Sequence, residues 1–95
     1  MNHVVLTACL AEVKNLRYTP AGLPALDMVL EHESSLEQAG VTRQIKAAVK
    51  AIAFGAIAER IQQQPLGSVW QFTGFLASPR LGKNPVLHIQ EFQPD

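Results

Sequence analysis

A single cysteine, Cys9, stands in the whole chain, so no intrachain disulfide can form. It lies in the apolar stretch Val4–Leu10 and reads as a packed thiol rather than a nucleophile. Histidine is nearly as sparse. His3, His32 and His88 are far apart, and none has a cysteine at zinc-ligand spacing, so neither a metal nor a cofactor is expected. Apolar runs are short, as in Val4-Val5-Leu6, against the roughly 20 residues a membrane helix needs. The opening Met1-Asn2-His3-Val4 has no basic segment leading into an apolar one, which gives a cytoplasmic expectation. Phosphate loops are missing too: Gly82-Lys83-Asn84 lacks both the upstream glycine and the Ser/Thr of a P-loop. Ser34 and Ser35 have no evident His and Asp partners, and Asp27 and Glu31 alternate as the wet face of a strand would. The chain is not expected to be an enzyme.

What is present is the composition of one globular domain spanning residues 1–95. Its formal net charge is zero, yet the charges are segregated. Asp27, Glu31, Glu33 and Glu37 form one cluster; Arg43, Lys46 and Lys50 form another, with Arg80 and Lys83 beyond. A neutral total is compatible with one positive face.

Period-two patterns predict strands over 3–14 (Val4, Leu6, Ala8, Leu10), 25–34 (Leu26, Met28, Leu30), 68–77 (Trp70, Phe72, with Gly74 as a bend) and 86–92. Residues 43–63 support two readings. Ile45, Val49, Ile52 and Ala56 lie on a helical stripe rich in alanine. The same residues make a strand with Ile45, Ala47, Val49 and Ala51 on one face and Gln44, Lys46, Ala48 and Lys50 on the other, ending near Gly55 before a short helix to about Gln63. With the second reading the chain has the element order of an OB-fold, an all-β, five-stranded Greek-key barrel with one short helix between strands three and four.

Three segments carry a family resemblance. Arg17-Tyr18-Thr19-Pro20-Ala21-Gly22, continuing through Leu23-Pro24-Ala25-Leu26-Asp27-Met28-Val29-Leu30-Glu31-His32, resembles the entry to the second strand of bacterial single-stranded DNA-binding proteins. Phe54-Gly55-Ala56-Ile57-Ala58-Glu59 is similar to their third-strand exit, and Gly67–Leu76 to their fourth strand. Pro24, Val29-Leu30-Glu31-His32, Ala39-Gly40, Arg43-Gln44 and Val86-Leu87-His88 resemble the shorter replication-restart branch, the primosomal replication protein N family. The resemblance implies a strand to about Phe54 and a helix from about Ala56. It also implies a homodimer that binds single-stranded DNA across the barrel faces and bridges a restart helicase and a loading protein of the primosome.

By that resemblance Arg17, Arg43, Lys46 and Arg80 fall at DNA-contact positions, and Lys83 falls close to one. Alternation adds Lys50, which shares the face of Lys46, and Phe75 as an outward aromatic. Lys46 stands where the family carries an outward tryptophan, Val41 where it carries an aromatic, and Glu33 where it carries a basic residue. Phosphate contact is therefore expected to outweigh base stacking. Trp70, alternating with Phe72, is expected in the core, and Ile57 and Ile61 at the barrel end. The first strand has apolar residues on both faces (Val5 and Cys9 beside Val4 and Leu6), which suits pairing with a second copy. The same cations also read as an ordinary solvated face. An OB-fold protein-interaction module with incidental DNA or RNA affinity, or an RNA or oligosaccharide binder, stands as the rival reading.

Overall fold

The segment that periodicity leaves open divides at Gly55. In the computed structural model, which describes all residues from Met1 to Asp95, the chain runs β1 (Val4–Val13), β2 (Arg17–Tyr18), β3 (Pro24–Gln38), β4 (Val41–Phe54), α1 (Ala56–Gln62), β5 (Val69–Ala77) and β6 (Val86–Pro94). β4 is extended throughout, against its alanine content, because β3 offers it an unbroken antiparallel ladder from Ala25 opposite Phe54 to Gln38 opposite Val41. Gly55 then takes φ 80° and ψ −149°, a combination essentially restricted to glycine, and its N–H donates to the Pro24 carbonyl. The strand stops there and the helix begins.

The sheet order is β1-β5-β6-β4-β3-β2, and it closes because β1 serves two neighbours. Val4–Cys9 pairs with β5, and Cys9–Val13 pairs with β3, with a bulge between Leu10 and Glu12. β6 runs antiparallel to β5 but parallel to β4, through Ala51 opposite Leu87 and Ile52 opposite His88. The result is the expected OB-type barrel of five long strands. The helix lies between the third and fourth of these, β4 and β5, and ends at Gln62 rather than about Gln63.

Leu10, Leu26, Leu30, Phe72 and Leu87 fill the barrel and are wholly buried. Each such side chain contributes about 1.5–3 kcal/mol relative to exposure. At seven residues α1 is too short to persist alone. Ala58 and Ile61, both buried, hold it across one barrel end, and Ile57 packs beside them. Trp70 packs against the core, edge-on to Phe92 at 5.1 Å, with its indole N–H donating to Ser68 Oγ at 2.7 Å.

β3 continues four residues past its expected end at Ser34 and forms, with the first half of β4, an arm that leaves the barrel. The added residues Ser35, Leu36, Glu37 and Gln38 carried no strand signal, since both faces of the arm meet solvent and neither must be apolar. Ala39 and Gly40 turn the hairpin with φ of 53° and 78°, the positive values that a two-residue connection requires. The arm stretches the molecule to 51 × 29 × 21 Å and its radius of gyration to 14.2 Å, against about 12 Å for a compact chain of this length.

Candidate nucleic-acid interface

Strand alternation sorts the side chains into two sets. Val49, Ala51 and Ala53 of β4 turn toward the core. Lys46, Lys50, Ile52 and Phe54 therefore share the outer face. The β3–β4 register sets Glu33 beside Lys46, Val29 beside Lys50, and Asp27 beside Ile52 on that face. β6 adds His88 next to Ile52, and β5 adds Phe75 next to His88. One continuous surface thus crosses β3, β4, β6 and β5.

Three flat rings gather at its barrel end. Phe75 and His88 stack with centroids 4.9 Å apart and planes 16° from parallel. Phe54 lies 6.1 Å from His88 at 35° and is 40% exposed. Gly74 makes this close approach possible: a Cβ there would collide with the His88 carbonyl oxygen. Phe54 and His88 were not among the expected site residues. The same alternation that groups Lys46 with Lys50 reaches Phe54 when carried two steps further. His88 alternates with the buried Leu87 and Ile89, which gave a signal for its outward direction but none for its neighbours.

Beside the rings a cleft of about 410 Å³ is walled by Arg17, Asp27, Ile52, Arg80 and His88. Arg17 Nε donates to Asp27 Oδ2 at 2.8 Å, with the second guanidinium nitrogen 3.4 Å from Oδ1. That hydrogen bond, and secondarily the carboxylate's charge, raises the Arg17 pKa above its ordinary value. The guanidinium is thus fixed in place, and its charge is offset within the cleft.

The seven expected residues do not form one cluster. Lys46 and Lys50 share the outer face, but Lys46 Nζ is 3.2 Å from Glu33 Oε1. Lys50 has no ion pair, and Lys14, in the β1–β2 loop, joins it around a smaller depression that also includes Asp27. Arg43 departs from the expected grouping: it lies on the opposite face of the arm, opposite Leu36, and donates to Gln38 Oε1 at 2.9 Å. The reason is parity, since an odd-numbered β4 residue shares the face of Ile45 and Val49. Arg80 walls the cleft; Lys83, three residues on, is exposed in the same loop outside it. Phe75 is half-buried under its stack with His88. No three His, Cys, Asp or Glu side chains come together as metal ligands would, and no helix is long and apolar enough to cross a membrane.

A sequence profile described as another single-strand binding protein family matches residues 2–91. Replication restart protein PriB of Bordetella pertussis is 41% identical over 92 residues, covering 96% of this chain and 86% of that protein. The chain belongs to this PriB family of single-strand binding proteins. PriB of Neisseria meningitidis serogroup B is 39% identical, covering 97% of this chain and 92% of the relative. Among solved structures, PriB of Ralstonia solanacearum superposes with a TM-score of 0.88 at 32% identity, covering 99% and 97% of the two chains. A deletion mutant of the single-stranded DNA-binding protein from Thermus aquaticus shares the fold, with a TM-score of 0.81 at 22% identity, 99% of this chain matching 50% of that one. The PriB relatives agree with the replication-restart resemblance carried by the sequence.

Proposed function

We propose that this protein binds single-stranded DNA along the outer face of β3, β4, β6 and β5, as a non-enzymatic cytoplasmic component of replication restart. The observation that carries the reading is the shared face itself. Lys46 and Lys50 line one stretch, and Arg80 stands beside the rings of Phe54, His88 and Phe75 at the other. Cations that follow phosphates and flat groups that stack on bases are what sequence-tolerant single-strand binding requires. Barrel membership in the PriB family supports the same assignment.

The protein acts as a homodimer in this reading. β1 gives one edge of Val4–Ala8 to β5, while β3 pairs with β1 only from Cys9 onward and reaches the first half through His32 on the Thr7 carbonyl. Apart from the Thr7 carbonyl, the other edge of the first half has no strand partner in this chain and is available for pairing, beside a half-exposed apolar face of Val5 and Val69. Bridging of a restart helicase and a loading protein belongs to the same proposal.

Binding of labelled oligonucleotides under salt titration tests the reading. Affinity for single-stranded DNA should fall steeply with salt, and an alanine variant at Lys50, Arg80 and Lys83 should lose most of it. Unchanged affinity in that variant would favour the protein-interaction module. Light scattering should give twice the 10.4 kDa chain mass.

A further inference from the structure

We propose that His88 is a phosphate-binding residue of the cleft, engaged as its imidazolium, so that the protein takes up a proton when single-stranded DNA binds. The inference rests on the assignment of the outer face to DNA and adds a chemical role for one residue within it.

His32 and His88 differ in their commitments. His32 uses both ring nitrogens, one with the Thr7 carbonyl at 2.7 Å and one with Ser34 Oγ at 2.9 Å. The ring of His88 has neighbours of another kind. Phe75 lies parallel to it, Phe54 lies tilted beside it, and the remaining approach is the cleft. Aromatic faces tolerate a cation well and give a neutral imidazole no hydrogen bond. Protonation of His88 turns both ring nitrogens into donors.

The charges around the ring set the direction. Arg17 faces the cleft from β2 but is tied to Asp27 of β3, so that wall carries a balanced pair. Arg80 faces it from the β5–β6 loop with no carboxylate partner. Lys50 on β4 and Glu91 on β6 are the next outward ionisable groups along their strands. Histidine is the side chain whose charge changes between about pH 5 and 8. A phosphate seated between Arg80 and His88 attracts the proton. The bound pKa then exceeds the free one, and affinity rises as pH falls through the interval between them.

The test measures the dissociation constant of a rhodamine-labelled oligothymidylate, whose bases do not titrate in this range, from pH 5.5 to 8.5 at fixed ionic strength. Wild type should bind several-fold more weakly at pH 8 than at pH 6, with about tenfold the ceiling for one pKa unit of linkage. His88→Phe should give a flat profile, and His32→Gln should keep the wild-type slope. Imidazole resonances should show the His88 pKa rising in the complex. His88→Gln serves as a second variant should phenylalanine disturb the fold. A flat wild-type profile, or a slope that survives in both His88 variants, overturns the role of His88 while leaving DNA binding in place. Absence of oligothymidylate binding at every pH overturns the DNA reading as well.

Discussion

Lys46 and Glu33 face each other directly across the β3–β4 ladder, and their side chains close to 3.2 Å on an exposed surface. An exposed pair of this kind contributes at most about 1 kcal/mol to stability, but it occupies the cation that a phosphate would use. Glu33→Gln should therefore leave the melting temperature nearly unchanged and tighten single-stranded DNA binding about threefold at low salt. Fluorescence anisotropy on the two proteins measures the gain, which should shrink as salt is raised. Weaker binding by the variant would mean that Glu33 orients Lys46 for its contact.

The two faces of β4 make separable predictions. Each phosphate contact contributes about −0.7 to the slope of log affinity against log salt on single strands. Lys50→Ala and Arg80→Ala should each reduce the slope by about that amount. Arg43→Ala, on the other face of the arm, should leave it close to wild type. Equal slopes for Arg43→Ala and Lys50→Ala would mean that the strand is wrapped rather than tracked along one side.

Gly74→Ala should destabilise the protein by about 1–3 kcal/mol, the range for forcing an added carbon into packed structure. The obstacle is the His88 backbone, which cannot rotate aside as a side chain could. Urea denaturation measures the loss. DNA affinity corrected for the unfolded fraction should fall too, since relief of the clash shifts β6 and separates the rings of Phe75 and His88.

Ala39 holds φ of 53° without being glycine, a region that costs an ordinary residue about 1 kcal/mol. Ala39→Asn, a residue well suited to the first position of such a turn, should recover part of that cost. The expected signature is slower hydrogen exchange at the arm amides near Gln38 and Val41, with barrel amides unchanged. Faster arm exchange would count against the turn geometry.

Trp70 should report little on DNA. Its indole is engaged with Ser68 and packed edge-on to Phe92, away from the outer face. Tryptophan emission should change by only a few per cent at saturation, and deep quenching would place the polynucleotide on the other side of β5.

What could be read ahead of the coordinates followed from burial. β1, the first half of β3, β5 and β6 each have one face on the core, so their apolar residues recur at period two and announce themselves. β4 was ambiguous because its inward residues are mostly alanine, equally at home in a helix; only pairing with β3, a long-range fact, decides it. The last four residues of β3, Ser35–Gln38, were silent because no core demands a pattern there. Partnerships were the least legible feature. Lys46 and Lys50 look alike along the chain, yet register gives Glu33 to one and Val29 to the other. Likewise His88 looks like any dispersed histidine until β5 brings Phe75 onto it and β4 brings Phe54 alongside.

The parallel junction of β4 with β6 is confined to the neighbourhood of Ala51–Leu87 and Ile52–His88, whereas each strand is zipped along most of its length to its antiparallel mate. Mechanically the barrel is two robust hairpins held together by β1 along one side and by one short button on the other, and the cleft straddles the button. A polymer gripped by Arg80 on one hairpin and Lys50 on the other would act as a clasp, so the occupied protein should resist opening at that junction more than the empty one.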